Sequence, residues 1–203
     1  MKHVAVLLSG MGTNLQAIID ASQQREAGYD VTLVLSNRRK AGGLAKAEAA
    51  GIPGRYVDAR PFDTREDYDR ELAALIDSAA PSLIVLAGFM RILSPYFVRR
   101  YAGRIINIHP SLLPQFPGKD PQAQALAAGA TRTGVTVHFV DEGVDTGCII
   151  AQEPVEIVAG ETVESLTGKI QRVEHALYPK VIANICAEMN ETHTGLVGAG
   201  GSR

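Results

Sequence analysis

The chain is short of cysteine, of net charge and of long apolar runs, and each shortage removes a class of function. Its 203 residues hold two cysteines, Cys148 and Cys186, far apart and without a CxxC or His-rich neighbourhood. Neither a zinc site nor a disulfide framework is indicated, and both are expected to sit as small hydrophobes. Lys and Arg number 20 against 22 Asp and Glu, a formal charge of −2. That balance offers no electrostatic footprint for nucleic acid or an anionic membrane, so small-molecule partners are favoured. The longest apolar run, Leu83 to Met90, falls far below the roughly 20 residues that cross a bilayer. The opening MKHVAVLLSGMGTN is too short for a signal-peptide core and runs into glycines rather than a cleavage site, which makes the cytoplasm the expected location.

What is present is ample core material: 46% of residues are hydrophobic and 21% charged, enough for one compact domain. Val4 to Leu8 reads as a strand covered on both faces, followed by a helical pattern from Leu15 through Ile19. The alternation recurs: strand at Val31 to Leu35, helix at Gly42 to Ala50, short strand at Arg55 to Val57, helix at Arg65 to Ala79. In that last helix Tyr68, Leu72, Leu75 and Ile76 fall on one face and Pro81 follows the stop. Leu83 to Ala87 and Arg104 to Ile108 read as further strands, with Ser94 and Pro95 opening a short helix between them. The pattern predicts an α/β fold: three layers, with a mostly parallel twisted sheet and helices on both faces.

Beyond residue 108 the texture changes. Pro110, Pro114, Pro117 and Gly118 make a stiff loop, a helix is expected near Gln122 to Ala128, and Val135 to Val140 alternates as a strand. Cys148 to Val158 reads as a strand broken by Pro154, Val163 to Met189 as a helix, and glycine-rich Asn190 to Arg203 as a disordered tail. The division expected is a single domain over 1–189, with a phosphate-binding half over 1–100 and a catalytic half over 101–189.

Three segments carry candidate chemistry. Ser9 to Asn14 joins a buried strand to a helix, so its N–H groups can converge on an anion at the positive end of the helix. Thr13 or Asn14 is placed to cap that helix; a tight turn without a ligand is the alternative. Asn107 and His109 lie two apart at the carboxyl end of a strand and share a face where ligands of open parallel sheets bind, although a lone polar residue at a strand end is more often structural. Asp141 to Gly147 gathers three carboxylates between glycines, either a solvated turn or the source of a third catalytic group. A carboxylate beside His109 would orient the ring and favour its protonated, donating form. The pattern of a calcium loop is missing there, and no metal site is assigned.

Taken in order, SGMGTNL from Ser9, AGFMRILSP from Ala87, NIHPSLLP from Asn107, the Asp141 to Gly147 loop and EHALYP from Glu174 resemble the folate-dependent phosphoribosylglycinamide formyltransferases of purine biosynthesis. The similarity runs to about residue 185. The resemblance implies 10-formyltetrahydrofolate as formyl donor and the amine of glycinamide ribonucleotide as acceptor. Carried over by motif, Gly12, Thr13 and Asn14 would hold the acceptor phosphate and Glu174 its ribose. Asn107 and His109 would stabilise the oxyanion, with Asp145 tuning His109 and relaying protons. The folate would lie against Met90, Arg91, Ile92 and Leu93, Asn107, and the loop of Asp141, Glu142, Gly143, Val144 and Asp145. Arg65 and Arg91 are the expected partners of its acidic tail. The sequence departs from many relatives after Phe116-Pro117-Gly118, where Lys119-Asp120-Pro121-Gln122 replaces residues that include histidines; Asp120 is placed to cap the helix that Pro121 starts.

Rival expectations share the same core. A methionyl-tRNA formyltransferase needs a surface for tRNA, which length and charge do not offer. A formyltetrahydrofolate hydrolase is expected to carry a segment before the first strand, which here starts at His3. A non-catalytic module sensing a phosphorylated metabolite would not need Asn107, His109 and Asp145 together. Monomer and homodimer both remain open.

Overall fold

The structure, a computed structural model, describes residues 1–24 and 26–194, with side chains through 189. Strands β1 (Lys2–Leu8), β2 (Tyr29–Ser36), β3 (Gly54–Tyr56), β4 (Leu83–Leu86) and β5 (Ile105–His109) pair in parallel, and β6 (Arg132–Phe139) and β7 (Ile149–Glu156) continue the sheet antiparallel. The sheet order is β3-β2-β1-β4-β5-β6-β7. Helices α1 (Thr13–Ser22), α2 (Gly42–Ala49), α3 (Arg65–Ala79), α4 (Pro95–Arg100), α5 (Pro121–Ala127) and α6 (Val163–Thr194) provide the crossovers and the cover.

The continuous apolar run of β1 is explained by its two faces. Val4, Val6 and Leu8 pack with Leu15, Ile18 and Ile19 of α1 and Ile170 and Ile182 of α6. Leu7, one step along the pleat, packs on the opposite face with Leu72 and Ile76 of α3 and Phe97 of α4. Residues 4 to 8 are 0% exposed, so neither face of this strand meets water. The three-layer expectation holds.

Local signals set several boundaries. Thr64 caps α3, its side chain accepting from Asp67 N, and Ser94 caps α4 with Pro95 in the first turn. Three expectations are corrected. Pro154 does not break β7, because β7 is the last strand of the sheet and a proline on an edge costs no ladder bond on its open side. Asp120 precedes α5 but makes no capping bond; it sits at φ 52°. Helix α6 continues through Thr194, so the first five residues of the expected tail are helical; residues 195–203 lie outside the described residues. Cys186 is buried as expected, whereas Cys148 is exposed.

Tyr178 of α6 ties the cover to the sheet. Its ring is 0% exposed, and its hydroxyl lies 2.9 Å from Leu86 O and 3.2 Å from Ile106 O, so it serves the carbonyls of two neighbouring strands close to their carboxyl ends. Replacing Tyr178 with Phe strands those buried acceptors. Urea unfolding of the variant is expected to show a loss of about 1–3 kcal/mol with an unchanged m-value.

Candidate active site

The first cluster is built where β1 turns into α1. Gly12 is the residue before the helix, at φ 71° and ψ 39°, a conformation that costs glycine little. A Cβ there would also lie 2.6 Å from Gly43 Cα, so the close approach of α2 requires glycine as well. Neither Thr13 nor Asn14 caps the helix, which corrects that expectation: the cap is Gly12 and it makes no side-chain bond. The first N–H groups of α1, unpartnered within a helix by its geometry, face the turn. Asn14 instead donates through Nδ2 to Glu174 Oε2 at 3.1 Å, across 160 residues of sequence. Glu174 is 7% exposed; burial pushes its carboxyl up from 4.5 to about 7, against the opposing pull of the Asn14 bond.

The second cluster forms where β5 ends. Both ring nitrogens of His109 face oxygen: Nδ1 lies 3.3 Å from Asp145 Oδ2, and Nε2 lies 2.9 Å from Phe116 O. A protonated ring satisfies both acceptors. Asp145 reaches this position from the loop between β6 and β7. It adopts φ 56°, which aspartate tolerates better than most residues, and its Oδ2 accepts Gly118 N at 2.8 Å. Burial would raise the Asp145 carboxyl, but contact with the His138 ring, the Gly118 N–H and the charge of His109 outweigh it and hold the group below the usual carboxylate range. Gly147 lets the loop come this close: a Cβ on it would fall 1.7 Å from Phe139 O.

Asn107 joins the pair indirectly. Its Nδ2 lies 3.3 Å from His138 Nε2, and that same nitrogen is 3.6 Å from Asp145 Oδ1. His138 is the residue that sequence reasoning passes over. It faces Asn107 across the β5–β6 ladder, and its only mark in the sequence is its place in an alternating strand.

These groups border a cavity of about 650 Å³ at the carboxyl ends of β4 and β5, lined by Leu86, Asn107, His109, His138, Gly143, Val144 and Asp145 and by the 88–93 and 118–122 segments. Of the expected folate contacts, Met90, Arg91, Ile92, Leu93, Asp141, Gly143 and Val144 line it. Met90, Ile92 and Val144 hold 68%, 58% and 50% of their surface exposed, an apolar rim suited to a flat ring system. Asp141 accepts from Gly143 N and Thr146 Oγ1, so its carboxylate organises the loop. Two expected contacts lie off the lining. Glu142 pairs with Arg99 at 3.3 Å, and Arg65 sits exposed at the start of α3. Arg91 stays on the cavity with its guanidinium 4.5 Å over the Tyr68 ring. Arg38 and Lys119, not anticipated as contacts, line the cavity as well. A larger open groove of about 850 Å³ beside α2 contains none of Asn107, His109 or Asp145.

A mostly parallel sheet with titratable and amide side chains gathered at its strand ends is the arrangement of an α/β enzyme. Comparison with known proteins narrows this. The family model described as formyl transferase matches residues 2–182, and the chain belongs to the formyl transferase family. It is 50% identical over 181 residues to the phosphoribosylglycinamide formyltransferase of Escherichia coli, covering 89% of this chain and 85% of that protein. It is 51% identical over 184 residues to the trifunctional purine biosynthetic protein adenosine-3 of Drosophila melanogaster, covering 90% of this chain but 14% of that much longer protein. The solved structure of glycinamide ribonucleotide transformylase 1 from Symbiobacterium toebii matches with a TM-score of 0.91 at 41% identity, covering 93% of this chain and 89% of that one.

The burial of Glu174 has a measurable signature. Its folded-state value is raised, so the stability linked to its protonated form is fully present below about 4.5 and is lost as pH rises toward about 7. Glu174→Gln keeps an acceptor for Asn14 without a charge. Relative to that variant, the native protein is expected to lose on the order of 3 kcal/mol between pH 4 and pH 8. Parallel denaturant titrations with a constant gap across that range would show that Glu174 is solvated rather than buried.

Proposed function

We propose that the protein transfers the formyl group of 10-formyltetrahydrofolate to the amine of glycinamide ribonucleotide. The observation that carries this reading is the meeting of His109 and Asp145 at 3.3 Å, beside Asn107 on one cavity, in a chain half identical to an enzyme named for that acceptor. Residues 1–100 contribute the phosphate turn and residues 101–189 the reacting groups.

The folate supplies the formyl carbon; its ring system fits the apolar rim of Met90, Ile92 and Val144, and its acidic tail the cations Arg38, Arg91 and Lys119 on the same cavity. Gly12, Thr13 and Asn14 receive the acceptor phosphate on the free N–H groups of α1. Glu174, fixed by Asn14, accepts from ribose hydroxyls.

The acceptor nitrogen attacks the formyl carbon, a C–N bond forms, and negative charge develops on the formyl oxygen. Asn107 Nδ2 and the His109 ring donate to that oxygen, the ring turning its Nε2 proton from Phe116 O toward the substrate. The carboxyl of Asp145 is held low, so it remains an anionic partner that orients the ring and favours its donating form. The bond from the formyl carbon to the folate nitrogen then breaks. The proton lost by the attacking amine passes to that nitrogen, with Asp145 the nearest base for the relay.

Steady-state assays of formyl transfer, with tRNA and water as competing acceptors, test the reading. His109→Ala and Asp145→Ala are each expected to lower kcat by roughly 10²–10³ with little change in acceptor KM. Gly12→Ala and Asn14→Ala are expected to raise acceptor KM instead. Near-normal turnover in either of the first two variants removes the assigned roles, and unchanged acceptor KM in both of the others moves the phosphate elsewhere.

A further inference from the structure

His138 has no step in the reading above, yet it touches two of the three residues that do. Its side chain is 3% exposed, enclosed between β5 and the Asp145 loop. Its Nδ1 lies 2.8 Å from Phe139 O. A carbonyl oxygen only accepts, so Nδ1 must carry a proton. The other nitrogen, Nε2, lies 3.3 Å from Asn107 Nδ2, which only donates, and 3.6 Å from Asp145 Oδ1, beyond hydrogen-bond length. A ring protonated on both nitrogens would set N–H against N–H at Asn107. The neutral ring, with a lone pair on Nε2, satisfies the contact. The opposite turn of the carboxamide would set Asn107 Oδ1 against that lone pair, so the tautomer and the amide orientation select each other.

We infer that His138 is a positioning residue for formyl transfer: its Nδ1-protonated imidazole accepts one N–H of Asn107 at Nε2 and so fixes the carboxamide with its second N–H available to the formyl oxygen. Both residues line the same cavity, and the inference rests on the formyl-transfer reading of that cavity. A carboxamide without this partner turns over to present its oxygen, which repels a developing oxyanion. Asp145 Oδ2 is engaged by Gly118 N at 2.8 Å and by His109 Nδ1 at 3.3 Å; its Oδ1 also borders Nε2, at 3.6 Å, farther than Asn107 Nδ2 at 3.3 Å, and the labelled-histidine measurement below distinguishes the two partners. The arrangement explains why a histidine, with one nitrogen bound to the backbone and the other an acceptor at fixed distance, occupies the strand position facing Asn107.

Two variants separate positioning from architecture. His138→Asn keeps a donor near Phe139 O but places no acceptor where Nε2 stands; His138→Gln brings a carboxamide oxygen toward that point and gives up the backbone bond. Formyl transfer and thermal melting are measured on wild type and both variants. His138→Asn is expected to lower kcat roughly 10–100-fold, the range for removing a group that orients a catalytic side chain, with KM for both substrates within about twofold. His138→Gln is expected to recover most of that loss even where it melts no higher than His138→Asn. In wild type carrying ¹⁵N-labelled histidine, the Nε2 resonance of His138 at neutral pH is expected to be that of an unprotonated nitrogen, and Nδ1 that of a protonated one. A proton on Nε2, or a kcat for His138→Asn equal to or above that of His138→Gln, overturns the inference. Those results leave the formyl-transfer reading standing as long as wild type transfers formyl. A wild type that transfers none defeats that reading, and the labelled ring then reports the tautomer on its own.

Discussion

The return of β6 alongside β5 is the constraint on which the site depends. Because the two strands run in opposite directions, Asn107 faces His138 and His109 faces Thr136, and β6 ends beside Ile106, so the loop that leaves it must fold back toward the carboxyl end of β5. Six residues beyond Phe139 bring Asp145 back to His109. Gly147, with no room for a side chain beside Phe139 O, draws the loop inward, and the Gly118 N–H fixes the carboxylate that arrives.

The stiff segment between His109 and α5 supports the same end of the molecule. Thr136 donates to Ser111 O at 2.7 Å and accepts from Leu113 N at 3.0 Å, and Gln152 reaches from β7 to Leu113 O at 2.9 Å. Polar groups of β6 and β7 thus satisfy the backbone of a loop that cannot enter the ladder, and Phe116 O is held where it meets the His109 ring. The apolar rim stays exposed on the other side of the cavity, as a surface that receives a ligand must.

Much of the fold is legible in the sequence because it is written locally. The run Val4 to Leu8 has a single reading, α3 starts at its threonine cap and ends before Pro81, and Ser94-Pro95 marks α4. The site is legible in pieces. His109 and Asp145 stand out by type, but spacing alone leaves Asp145 an acidic turn; the likeness of several motifs in order is what singles it out. What depends on pairing between distant strands stays hidden: His138 has no signature until β6 is laid against β5, and Pro154 reads as a break until β7 is known to lie at the edge. Arg65 misleads for a related reason, since a helix-start arginine carries no sign of which way the cavity opens.

Asn14 and Glu174 stand 160 residues apart and yet share a hydrogen bond. One belongs to the first helix to be synthesised and the other to the last, so a chain emerging from the ribosome carries the turn before α1 long before the carboxylate that Asn14 bonds. Closure of that contact is thereby postponed until α6 has docked, and a chain cut short of α6 lacks it.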